Sequence, residues 1–296
     1  MLIVDGLTKH FEGGKGITDV SFTVNQGEVF GFLGPNGAGK STTIRHIMGF
    51  MKPDKGHVSI KGLDSWSKHS EVQKLIGYLP GEIAFIEGMN GKEFLTFLAD
   101  MQGVDSSVKR ARLIERLQFD ASTPIRKMSK GMKQKVGIVA AFMHDPELII
   151  LDEPTSGLDP LMQQTFIELV LEEKAKGTTF LMSSHSFTEI ERTCDRAAII
   201  KEGRVVALNN MHELQSMQRK LVVIVFERND DAKQFALTSG LPIVSQGDSR
   251  VTIAVQGNYN ELIRRCANFE IRSIDVTAQN LEDIFMHYYD QKENAL

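Results

Sequence analysis

The sequence predicts an α/β fold, and three observations carry that expectation. Glu28–Leu33 reads as a strand that runs straight into a glycine-rich loop, and Thr42–Phe50 follows with helical character. Leu148–Leu151 is wholly apolar and ends in Asp152-Glu153, the composition of a central parallel strand covered on both faces. From near residue 218 a second, shorter series of strand and helix patterns begins. With 296 residues the chain can build two cores, and 42% apolar with 24% charged residues is the balance of a globular protein.

Leu2–Val4 and Val20–Val24 are short strands ahead of Glu28–Leu33. Residues 88–144 read as mostly helical, in the segments Lys92–Met101, Ser107–Gln118 and Gly131–Met143. In the last, Met132, Val136, Val139, Ala140 and Met143 recur at helical spacing, and Pro146 forbids its continuation. Phe166–Lys176 as helix, Thr179–Ser183 as strand and Ser186–Arg192 as helix continue the alternation. Ala197–Ile200 and Arg204–Leu208 then form a hairpin across Glu202-Gly203.

The second series runs strand Leu221–Phe226, helix Asp231–Ser239, hairpin Ile243–Gln246 with Val251–Val255, helix Glu261–Asn268, strand Ile271–Val276 and helix Leu281–Tyr288. That order suggests a small ferredoxin-like α+β sandwich. The expected division is therefore 1–217 and 218–296, with the helical block of about 88–144 inside the first part.

Composition removes several classes of function. A net charge of −4 and a pI near 6.1 give no basic field for nucleic acid or anionic lipid. Cys194 and Cys266 show neither a disulfide framework nor metal-ligand spacing, and read as reduced, buried thiols of a cytosolic protein. The longest run of apolar residues and glycine, Val136 to Met143, falls far short of the roughly 20 residues a membrane helix needs. Work at a membrane would require another chain to cross it.

Gly34-Pro35-Asn36-Gly37-Ala38-Gly39-Lys40-Ser41 fits G-x-x-x-x-G-K-[ST] at every fixed position, between a strand and a helix. Its glycines let backbone N–H groups turn inward toward phosphate oxygens, and the helix start adds its positive dipole end. Lys40 is placed to reach the β and γ phosphates and the Ser41 hydroxyl to bind Mg²⁺. A plain surface glycine turn would need neither flanking element. Alone, the loop leaves kinases, GTPases and motor ATPases open. Asp152 is positioned to hold Mg²⁺ through water and Glu153 to polarise the attacking water. Carboxylate pairs also occur at ordinary helix entries.

Further along, the sequence resembles the ATP-binding-cassette family over about residues 2–215. The resemblance rests on the loop at 34–41, on Met128-Ser129-Lys130-Gly131-Met132 opening a helix, on Ser156-Gly157-Leu158-Asp159, on His185 in Ser183-Ser184-His185, and on Phe11 in Thr8-Lys9-His10-Phe11. It implies a P-loop NTPase (RecA-like) core with antiparallel β and helical subdomains, and ATP hydrolysis with Mg²⁺. By that resemblance Glu153 is the catalytic carboxylate and His185 the switch that contacts the γ-phosphate. Phe11 stacks on adenine, and Gly34, Pro35, Asn36, Gly37, Ala38, Gly39, Lys40, Ser41 and Thr42 hold the phosphates. Ser129 and Gly131 serve the γ-phosphate of a second subunit in a head-to-tail homodimer, and the loop ending at Asp159 couples the two sites. The ordinary readings are a helix N-cap for Ser129, a structural histidine for His185 and an apolar strand end for Phe11.

Two departures stand out. Where the family has a glutamine that touches Mg²⁺, this chain has Gly81 followed by Glu82. Either Glu82 substitutes after a one-residue adjustment and ligates the metal, or the loop only transmits motion. Lys130 and Met132 replace the commoner glycine and glutamine, and Lys130 is expected to add positive charge near a phosphate.

The segment Asn280–Tyr289 resembles the closing helix of bacterial exporter ATPases whose membrane subunits are separate chains. The resemblance implies a separate transmembrane permease partner and a cytoplasmic protein peripheral on the inner membrane face. A groove near Gly81–Gly91 would receive a short permease helix. Phe85, Ile86 and Met89 supply apolar surface there, which core packing explains equally well. Competing readings are a non-transport cassette ATPase, a phosphate-loop kinase and an ATP-sensing module without turnover. One phosphate loop and no heptad block argue against the first, and the serial motifs against the second.

Overall fold

The computed structural model describes residues 1–211, 213–214, 220–255 and 259–278. The chain divides into two compact units, 1–211 and 212–296, ahead of the boundary expected after residue 217.

The first unit is built on two sheets. Strands β1 (Leu2–His10), β2 (Gly16–Val24), β4 (Lys55–Ile60) and β5 (Leu63–Asp64) form an antiparallel sheet in the order β2-β1-β4-β5. β1 runs to His10, well past Val4, because register shifts between Val4 and Lys9 let it keep pairing with β2. A six-stranded sheet has the order β10-β9-β3-β8-β7-β6, from β3 (Val29–Leu33), β6 (Ile76–Leu79), β7 (Leu148–Asp152), β8 (Thr179–Ser184), β9 (Arg196–Lys201) and β10 (Arg204–Asn210). Only β10 pairs antiparallel, through its hairpin with β9. Every residue of β3 and β7 is buried, as strands covered on both faces must be.

One core lies between the two sheets, where Ile44 and Ile47 of α1 (Lys40–Ile47) meet Leu2, Phe22, Phe32 and Leu181. Phe22 and Phe30 stack at 5.1 Å there. On the other face Phe142 meets Phe166 and Phe180 edge-on and tilted, bringing α5 (Lys130–Phe142) and α6 (Pro160–Ala175) onto β8.

The helices start and stop on local chemistry. After the short α2 (His69–Gln73), α3 (Gly91–Gln102) opens on a capping box in which Asn90 and Glu93 exchange bonds. α4 (Ser107–Arg116) stops before the expected Gln118, which turns left-handed at φ 51°. α6 begins six residues before the expected Phe166, because Asp159 caps it and Pro160 fixes its first turn. α7 (Phe187–Thr193) follows β8.

In the second unit β11 (Lys220–Phe226), α8 (Asn229–Thr238), β12 (Ile243–Gln246), β13 (Arg250–Val255), α9 (Asn260–Cys266) and β14 (Ile271–Ala278) follow in order. Their strands form an antiparallel sheet ordered β12-β13-β11-β14. Val222, Ile224, Phe226, Val251 and Ile253 face Ala232, Phe235, Leu262 and Cys266 in one core. The expected helix Leu281–Tyr288 lies outside the described residues. Among the described residues no helix is long and apolar enough to cross a membrane. Cys194 and Cys266 are unbridged and buried, and burial pushes the Cys194 thiol up to about 12.

Candidate active site

The glycine-rich loop joins β3 to α1 and depends on backbone that other residues avoid. Gly37 and Gly39 adopt φ of 81° and 112°, in the region glycine reaches without steric cost. Gly39 caps α1 with no side-chain bond, so the first N–H groups of that helix are left to a ligand. Pro35, Asn36, Gly37 and Ser41 are exposed, whereas Gly34 and Ala38 are buried and Gly39 and Thr42 half-buried. Lys40 is 5% exposed, and its ammonium donates to the carbonyls of Gly34 (2.7 Å) and Pro35 (3.2 Å). Its remaining side faces Glu153 Oε1 at 3.5 Å.

Three of the expected residues are thus brought together, since Glu153 Oε2 lies 3.4 Å from His185 Nδ1. Glu153 sits one residue past β7 with φ at 50°, a conformation that costs an L-residue roughly 1–2 kcal/mol. Its N–H is held by Ser183, through both carbonyl and hydroxyl at 3.2 Å. The Ser183 hydroxyl donates to Asp152 Oδ1 at 2.5 Å, fixing that buried carboxylate. Gly81 lies on the other side, where an added Cβ would stand 3.5 Å from Asp152 Oδ2. Glu82 is exposed beyond it, with no hydrogen bond or ion pair to these residues. Phe11 follows β1 directly and is 39% exposed.

A second cluster forms around α5. Ser129 is exposed and caps the helix, its Oγ accepting from Met132 N at 3.2 Å. Gly131 lies so close to the next loop that a Cβ would stand 2.7 Å from the Gly157 carbonyl oxygen. Lys130, expected to add positive charge near a phosphate, has its ammonium engaged within its own chain. It donates to Ser156 Oγ at 2.8 Å and lays its stem along Gly157. Asp159 caps α6, accepting from Met162 N at 3.0 Å.

Several bonds join the two clusters, among them Ser156 N to the Glu153 carbonyl at 3.2 Å. Gln134 of α5, buried, donates to the carbonyl oxygen of Pro154 at 2.8 Å, just beyond Glu153. Among the described residues no hydrogen bond or ion pair joins residues 129–131 to the loop at 34–41. Gln134 and Ser183 escaped the sequence reading. Ser183 carried a signal in its place beside Ser184-His185, and Gln134 carried none.

Fold and geometry define a phosphate-loop nucleoside triphosphatase, and comparison with known proteins agrees. A profile described as ABC transporter matches residues 17–156. An uncharacterized ABC transporter ATP-binding protein of Nostoc sp. is 34% identical, over 93% of this chain and 84% of that protein. A bacitracin transport ATP-binding protein of Bacillus licheniformis is 32% identical over 95% of this chain and 94% of its own length. A solved ATP-binding subunit of an ABC transporter superposes with a TM-score of 0.67 at 36% identity, covering 73% of this chain and 92% of that one. This chain belongs to the ATP-binding subunits of ABC transporters. It is an ATP hydrolase on a P-loop NTPase fold.

Proposed function

We propose that the chain hydrolyses ATP as one half of a two-chain sandwich and powers a separately encoded permease. The observation that carries this reading is the division of the site. Lys40, Glu153 and His185 converge, while Ser129 and Gly131 are presented elsewhere, with Lys130 and Gly131 held against the chain's own 156–159 loop. A second copy in head-to-tail arrangement supplies what one chain lacks. Its exposed Ser129 and the helix start behind it act as an anion contact for the γ-phosphate.

Within one chain the residues divide the chemistry. Phe11 takes the adenine, residues 34–42 take the phosphates, and Lys40 exchanges its carbonyl partners for phosphate oxygens. Glu153 orients and deprotonates the attacking water, and His185 holds Glu153 from its open side. Asp152 with one oxygen beside the bare Gly81, and Ser41 with an exposed hydroxyl, fit a hard cation that takes oxygen ligands. Mg²⁺ there would neutralise phosphate charge. Glu82 is the candidate to complete its shell.

The permease would dock at a groove of about 680 Å³ lined by Phe85, Ile86, Met89, Pro124 and Arg126. Phe85 also packs edge-on against Phe94 at 5.0 Å, so Ile86, 39% exposed, is the freer contact. The full-length match to the bacitracin transport protein supports an exporter of antibiotic-like compounds acting at the inner face of a bacterial membrane. Residues 218–296 are read as a ferredoxin-like accessory domain, supported by the sheet order β12-β13-β11-β14.

Glu153→Gln tests the hydrolytic assignment. ATP binding should survive and phosphate release fall by about 10²-fold or more, the scale of lost acid–base assistance. Unchanged release would remove Glu153 from the catalytic role and favour the ATP-sensing alternative.

A further inference from the structure

A carboxylate that the chemistry above leaves unused stands between the two loops that carry it. Glu189 belongs to α7, four residues after His185. Its Oε2 accepts from Ser184 Oγ at 2.7 Å, and its Oε1 accepts from the Thr155 hydroxyl. Ser184 immediately precedes His185, and Thr155 follows Glu153 by two residues. Both hydroxyl residues are buried, at 2% and 7% exposure. The Ser184 carbonyl accepts from Gly34 N at 3.3 Å, and the Thr155 carbonyl accepts from Leu158 N at 3.0 Å. One side chain therefore joins the His185 loop to the Glu153 loop, and through their backbones reaches the phosphate loop and the 156–159 loop.

The need for such a link follows from the sheet. β7 and β8 are held in register as far as Asp152 opposite Ser183. Past that pair the ladder ends, and Glu153 leaves it in a left-handed conformation. Ser183 holds the Glu153 N–H, but that bond and the strand pairing leave the stretch from Ser184 to His185 unfixed relative to the Glu153 side chain, which His185 meets at 3.4 Å. A carboxylate accepting from both exits fixes it. Displacement of a reacting group by about 1 Å can cost on the order of 10²-fold in rate.

We propose that Glu189 is a positioning residue for hydrolysis, clamping the exits of β7 and β8 so that Glu153 and His185 face one another. The inference rests on the assignment of those two residues as the reacting pair. An ionised carboxylate only accepts, so it obliges both hydroxyls to donate toward it. Glutamine keeps the shape but offers one acceptor oxygen and an amide donor, which weakens the clamp without leaving a void.

Steady-state turnover, ATP affinity and thermal melting of the full chain, in Glu189→Gln, Thr155→Val with Ser184→Ala, the triple variant and Glu153→Gln, test the clamp. Glu189→Gln should lower kcat by about tenfold, a fraction of the full misplacement cost, while ATP affinity and melting temperature stay near wild type. The triple variant should lose no more than Thr155→Val with Ser184→Ala, since all three act through one link. Unchanged kcat in Glu189→Gln beside an inactive Glu153→Gln would overturn the clamp alone, as would losses that add. A fall in kcat matched by loss of ATP affinity and melting temperature would show a merely structural bond. Full turnover in Glu153→Gln would sink the underlying assignment and the clamp with it.

Discussion

The loops at 34–41 and 129–131 are both glycine-containing turns that open a helix, but they are finished differently. At the first, Gly39 caps α1 without a side chain and Lys40 is folded in among carbonyls and a carboxylate. At the second, Ser129 caps α5 with its own hydroxyl and Lys130 is tied to Ser156. The first leaves its helix N–H groups for a polyanion and brings a lysine to match. The second has spent part of its helix start on a cap and keeps an exposed hydroxyl with few remaining N–H groups. On the proposed two-chain reading, one binds and the other closes over what is already bound.

Mixing two inactive chains is the strongest way to break that comparison. Lys40→Ala removes the binding half and Ser129→Arg fills the closing half, so each variant alone should be inactive. In the mixed dimer one site pairs an intact loop with an intact Ser129, and ATPase activity should return. A mixture as inactive as its components would mean that each chain completes its own site.

A smaller effect is expected at Lys130. Lys130→Met keeps the stem along Gly157 and loses the bond to Ser156, which is worth about 1 kcal/mol for a typical hydrogen bond. Turnover should fall a few-fold with ATP affinity unchanged, and Lys130→Arg should restore most of it. Weaker, salt-sensitive ATP binding in Lys130→Met would instead place the ammonium on phosphate.

The smallest effect concerns stability. Two histidines lie near these helices: His46, buried in α1, with Nδ1 on the Thr42 carbonyl, and His144, half-buried just after α5, with Nε2 on the Ile76 carbonyl. Burial holds both below their ordinary value of 6.5. The unfolded chain therefore binds more protons than the native one, so stability is full above about pH 6.5 and declines as pH falls through it. Melting followed from pH 8 to pH 5 should show that decline, and His46→Gln should flatten part of it.

What could be read from the sequence was whatever a single stretch encodes. Strands β3 and β7, the phosphate loop and the helical spacing of α5 are local patterns, and each is found where its residues predict it. The start of α6 is also encoded, by Asp159-Pro160, but Asp159 reads in the sequence as the end of the coupling loop. Contacts between distant segments were not legible. Lys130 reaches Ser156 only because α5 packs against the loop after β7, and Glu189 holds Thr155 only because β7 and β8 lie side by side. Spacing along the chain has no term for either.

The left-handed backbone at Glu153 sets fold stability against chemistry at one residue. Glycine or asparagine would rest there more comfortably than glutamate, and neither could activate water. If Glu153 has the role proposed for it, selection for a sturdier fold alone would favour replacing it. Stabilising substitutions gathered without an activity screen should for the same reason be checked first at 153.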